Sequence, residues 1–149
     1  MLQLFRMAKR RVLPMPPASG RMSALYVEDL TALLLALVGD RTMVGRILEP
    51  DDGRSSGWDH RDFARAIGDA VGAKVTPLSL PPAALKAVSF VDRMLHGQKA
   101  RLTADRVRYL SHLDWVSHSR PPATLWQPAV PTPQELAITT AWYRAAGLL

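Results

Sequence analysis

No apolar run in this sequence exceeds the seven residues 32–38, and Gly39 ends it. A membrane-spanning helix needs about 20 such residues, so the apolar faces of this chain must find one another instead. The 12 Pro and 9 Gly divide the rest into short segments, each too small to fold alone. With 149 residues and 48% hydrophobic content the chain is large enough for one core without a covalent staple. None is available: there is no Cys, hence no disulfide, no thiolate nucleophile and no Cys-ligated metal.

The segments alternate in type. Leu2, Phe5 and Ala8 share a helical face, which predicts an opening helix within residues 1–13 that Pro14, Pro16 and Pro17 bring to an end. Residues 23–27 read as a strand, and Glu28 with Asp29 starts a Leu-rich helix reaching Val38. That helix is apolar on almost every side, which predicts burial of both faces. Residues 44–48 read as a second strand, closing a strand–helix–strand unit over 14–50.

Asp59 is a predicted N-cap for a helix with Phe63, Ala66, Ile67, Ala70 and Val71 on one face and Gly72 at its end. A strand over 75–80 follows. Pro81-Pro82 then opens a helix carrying Leu85, Val88, Val91 and Leu95, which completes a helix–strand–helix unit over 51–100. Within 101–149, Thr103 caps a helix with Val107 and Leu110 inward, and 117–131 is turn-rich. Thr132-Pro-Gln-Glu135 has the form of a capping box for a last helix with Leu136, Thr140 and Tyr143 inward. Strands interleaved with five or six helices predict a mixed α/β class, as a single domain or partial domain.

The net charge is +6, and 15 of the 19 basic residues are Arg. This favours an anionic partner. Arg93, Lys99, Arg101, Arg106 and Arg108 form one cluster, and Arg6 to Arg11 hold another. No nucleic-acid-binding signature accompanies them, so a small anionic molecule is the expected partner, with an RNA- or protein-binding basic domain as the alternative. The first segment reaches charge too early for a secretory signal. Its acid-free, basic composition up to Glu28 loosely resembles a mitochondrial transit peptide, but the compartment expected is the cytoplasm.

Chemical motifs are sparse. The nine glycines make neither G-x-G-x-x-G nor a P-loop, so no dinucleotide site of this chain's own is expected. His60, His96, His112 and His118 lack metal-ligand spacing, and no G-x-S-x-G elbow is present. Trp115, Trp126 and Trp142 read as core or interface aromatics.

Four stretches nevertheless resemble one family in order and spacing. They are Arg21-Met-Ser-Ala-Leu-Tyr-Val-Glu-Asp-Leu30, then Asp52-Gly-Arg with Trp58-Asp-His-Arg-Asp-Phe63, then Leu102-Thr-Ala-Asp-Arg-Val-Arg108 with Leu113-Asp-Trp115, and Thr132-Pro-Gln-Glu135 through Ala141-Trp-Tyr-Arg-Ala-Ala-Gly-Leu148. Together they resemble the C-terminal half of the NAD-dependent epimerase/dehydratases, in the extended short-chain dehydrogenase/reductase superfamily.

The resemblance implies a substrate-side portion of an extended Rossmann-type fold, acting on a nucleotide sugar or similar anionic metabolite. NAD or NADP would be held by an N-terminal half. The family's Tyr-x-x-x-Lys pair has no counterpart: Tyr26, Tyr109 and Tyr143 are followed four residues later by Leu30, Leu113 and Gly147. A chain of this kind is expected to bind no cofactor alone, to be catalytically incomplete, and to associate with a Rossmann half or with itself. Arg21 is the first candidate for a substrate phosphate; Arg101 and Arg106 are the others.

Overall fold

The computed structural model of the chain describes residues 1–100 and 102–149, and the backbone alone of Gln98. Among these residues six α-helices and five short strands form a mixed α/β fold, as in part of a Rossmann-like fold. Helix α1 (Leu2–Lys9) is followed by strand β1 (Val12–Met15), β2 (Arg21–Met22) and α2 (Val27–Leu37). Next come β3 (Trp58–Asp59), α3 (His60–Val71), β4 (Thr76–Ser79) and α4 (Pro82–His96). The chain ends with α5 (Ala104–Ser111), β5 (Asp114–Trp115) and α6 (Thr132–Ala145).

Helix α3 organises the core because its apolar stripe is complete. Phe63, Ala64, Ile67 and Val71 are buried, and the helix packs against α1, α6 and the β1–β4 pair. Asp59 caps it by accepting the Arg61 N–H at 2.7 Å, and Gly72 ends it at φ +75°. Phe5, fully buried on α1, meets Tyr143 of α6 edge to face, and Trp58 meets Phe63 the same way. Strands β1 and β4 run parallel, and a second sheet has the order β3–β2–β5.

Several expected elements are different. Strand β1 exists although Pro14 lies within it. The strand pairs in parallel with β4 over four residues, Val12 with Thr76 through Met15 with Ser79, and the ladder is closed at its ends by the Thr76 N–H to the Arg11 carbonyl and the Leu80 N–H to the Met15 carbonyl. Residues 23–27 do not form a strand; the ladder ends with the Ser23 N–H on the Trp115 carbonyl, the Ala24 carbonyl accepts from the Asp52 loop instead, and α2 begins at Val27. The carboxylate of Asp29 explains the switch, since it accepts the Ala129 and Val130 N–H groups at 3.1 and 3.2 Å and pins the helix start.

Residues 44–48 also form no strand. A 3₁₀ turn (Arg41–Met43) precedes them, Gly45 takes φ +77°, and Val44 and Ile47 are both more than three-quarters exposed. Helix α2 is a surface helix with one buried face, not a doubly buried one: Leu33 is 2% exposed whereas Leu35 is 68% exposed. On α4 only Leu85 is buried, and Val88, Val91 and Leu95 face outward. Thr132 is not a cap either, because α6 starts on Pro131 and the Thr132 hydroxyl is given to Asp52.

Candidate functional site

The loop that leads into β3 carries a buried polar network that fixes the C-terminal segments. Asp51, 1% exposed, receives a two-pronged bond from Arg120: Nε to Oδ1 at 2.7 Å and Nη2 to Oδ2 at 2.6 Å. Ser23 Oγ and the Gly53 N–H also donate to it. Burial alone would raise the Asp51 carboxyl; the bonds from Arg120, Ser23 and Gly53 outweigh it and hold the group below its ordinary range. Asp52 accepts from Trp58 Nε1 and from Thr132 Oγ1. These bonds tie residues 117–131 and the start of α6 to the core, a clasp and not a catalytic centre.

Glu135 sits beside that network without sharing it. It is 7% exposed, and its Oε2 has no hydrogen-bond partner among the described residues. Burial, with the neighbouring Asp52 and Asp29 carboxylates, pushes its pKa up to about 7.

A concavity lies elsewhere, between α4 and α5. It is a cleft of about 920 Å³ with Phe90, Leu102 and Val107 among its apolar walls. That volume is in the range that accepts a small organic ligand. Thr103 caps α5 by accepting the Arg106 N–H, and Ser89 Oγ on α4 donates to the Leu102 carbonyl. These local bonds, with Val107 packed inward, hold the two helices in a hairpin. Lys86, Arg93 and Arg108 also line the cleft, and Arg108 is further bonded to Asp105 at 2.6 Å.

Ser111 and His112 line the cleft too. The Ser111 hydroxyl is buried and has no partner among the described residues, which leaves a donor and acceptor for an incoming ligand. Chemically this is an apolar slot with cations among its lining and, among the described residues, a buried hydroxyl without a partner at Ser111.

The residues expected from the sequence are dispersed. Arg21 Nη1 donates to the Ser56 carbonyl at 3.0 Å, beside a shallow depression near β5 and away from the α4–α5 cleft. Arg106 is exposed on α5, and the cleft beside it is lined by its neighbours Val107 and Arg108. Arg101 lies outside the described residues. Nothing in the sequence singles out Lys86, Arg93, Arg108 and Ser111, which line the cleft, as one site. The basic cluster around Arg93 and Arg108 is the available signal, but only the helical hairpin shows which of its members share a cavity.

Three helix starts among the described residues lack a phosphate loop. The turn from β4 to α4 is where a strand-to-helix phosphate loop would lie, yet it is built of Pro81 and Pro82, which have no N–H to offer a pyrophosphate. The N-terminus of α3 is taken by Asp59, and that of α2 carries Glu28 and Asp29. Among the described residues no three His, Asp or Glu side chains come together as a metal site requires. No described helix is long and apolar enough to cross a membrane.

No family model matches the chain. No solved structure matches it. The chain is similar to a protein named ceramide reductase from Caulobacter vibrioides (strain NA1000 / CB15N), with 34% identity over 156 aligned positions. The alignment takes in 99% of this chain and 47% of that relative, so the chain spans about half of the relative's length.

Proposed function

We propose that this chain is the substrate-side portion of an NAD(P)-dependent reductase, and that the α4–α5 cleft receives a long-chain amphiphile of the ceramide type. The observation that carries this reading is the cleft itself: Phe90, Leu102 and Val107 suit an acyl chain, and the unpartnered Ser111 hydroxyl suits an amide or hydroxyl headgroup. The similarity to a protein named ceramide reductase along almost the whole chain supports it. A nucleotide sugar is the weaker fit, because the Arg21 guanidinium expected to meet its phosphates is bonded to the Ser56 carbonyl.

In this reading the proton donor and the dinucleotide site belong to a Rossmann half outside these residues. Outward apolar side chains on α2, among them Leu34 and Leu35, support a contact with such a half.

Trp115 provides the assay. Its ring stacks on Tyr109 at 4.3 Å and meets His112, a cleft residue, at 4.8 Å. A soluble short-chain ceramide titrated into the protein should change tryptophan emission saturably, and a uridine diphosphate sugar should not. Val107→Asp should abolish the response and Ser111→Ala should weaken it roughly 5- to 10-fold, the worth of one buried hydrogen bond. A saturable response to the nucleotide sugar alone, or none to ceramide, would defeat the proposal.

A further inference from the structure

Helix α4 is inverted relative to an ordinary surface helix. Its packed side carries Leu85 with two polar residues, Ser89 and Asp92, each bonded to Leu102 of the neighbouring segment. Its outer side carries Ala83, Ala87, Phe90, Val91, Met94 and Leu95, an uninterrupted apolar surface at helical spacing. Phe90 is 66% exposed, Met94 72% and Leu95 73%. Only Leu85 of the apolar residues is buried, and leaving Phe90, Met94 and Leu95 in water is unfavourable, so this face is matched to an apolar surface.

We propose that the outer face of α4 docks onto an anionic lipid bilayer. Charge complementarity selects this occupant. Lys86 and Arg93 lie two turns apart along one flank of the apolar face, both exposed, and α4 carries a single acid, Asp92, on its packed side. Lys99 is exposed just beyond the helix end. Such a surface seats in the interfacial layer, with long cationic side chains reaching the headgroups. Each cation at an anionic surface strengthens binding roughly fivefold. Phe90 both lines the cleft and is exposed toward this face, which puts the cleft mouth next to the lipid layer.

The test is flotation of the full chain with vesicles of phosphatidylcholine alone and of phosphatidylcholine mixed equally with phosphatidylglycerol. The protein should rise with the mixed vesicles, stay behind with the neutral ones, and detach as salt is raised. Met94→Ser/Leu95→Ser, at two positions outside the cleft lining, should lower the partition coefficient at least about tenfold with an unchanged circular dichroism spectrum. Lys99→Glu, a change that leaves the apolar face intact, should lower it several-fold, so the proposal can be tested even if the double variant folds poorly.

Wild-type protein that ignores the mixed vesicles would overturn the proposal, as would variants that float like the wild type. So would a wild-type dimer, indifferent to lipid, that the double variant converts to monomer; the face would then be a contact between copies. Binding of soluble ceramide is measured without vesicles, so this inference and the ceramide reading can fail separately.

Discussion

Replacing Glu135 with glutamine should make the protein more stable at neutral and alkaline pH, and the size of the gain follows from the burial of one carboxyl. In the folded chain Glu135 titrates at about 7, against an ordinary value of 4.5. A folded value raised above the unfolded one means that the protonated native state is favoured. That contribution is whole below about pH 4.5 and is lost as pH rises through about 7. Roughly 2.5 pH units at 1.36 kcal/mol each amount to about 3 kcal/mol lost by pH 8.

The amide side chain of Glu135→Gln is neutral throughout and close to isosteric, so the variant has no such slope. Urea melts of both proteins at several pH values between 4 and 8 should show midpoints that nearly coincide at pH 4, diverge up to about pH 7, and keep a constant gap above it. Taking the difference between two proteins removes the contribution of groups remote from Glu135. Parallel profiles would refute the argument, because they would mean that the Glu135 carboxylate is solvated or paired in the folded chain.

Asp51→Ala should cost about 3 kcal/mol in urea melts, since it leaves the Arg120 guanidinium without its carboxylate partner in a partly buried site. The Asp51 carboxyl titrates below its ordinary 3.8, so its contribution is whole above that pH and is lost as acid passes the folded value. The variant should lack this part of the acid limb. Gly57→Ala should cost about 2 kcal/mol or more, because a Cβ at φ +61° would lie 2.7 Å from Val116 Cγ2 and 2.9 Å from the Met22 carbonyl. Gly72→Ala, at φ +75° with open space around the new atom, should cost only about 1 kcal/mol, and equal melting temperatures for the two variants would contradict the steric argument.

The sequence by itself determined those elements whose signals are local. The apolar stripe on α3 together with the Asp59 cap and the Gly72 stop forms one self-contained statement; the structure keeps the cap, the stop and the burial of Phe63, Ile67 and Val71, while Ala66 and Ala70 are only half-buried and Ala64 and Gly68 are buried beside them. Helix α1, strand β4 and the inward set of α6 were legible for the same reason: period and punctuation act over a few residues, and nearby chain satisfies them. The mixed α/β class followed from their alternation.

Tertiary structure decided everything that depends on a distant partner. Residues 44–48 have strand-like composition, but a strand needs a neighbour to receive its N–H and C=O groups, and none is there among the described residues. Thr132 has the local form of a cap, but its hydroxyl goes to Asp52, 80 positions away. Val88, Val91 and Leu95 have the spacing of a core stripe, yet the side of α4 that packs is the one whose Ser89 and Asp92 can reach Leu102. Hydrophobic periodicity specifies that a helix has an apolar face, but which face turns inward is settled by the bonds and volumes of the segments beside it, and those lie elsewhere in the chain.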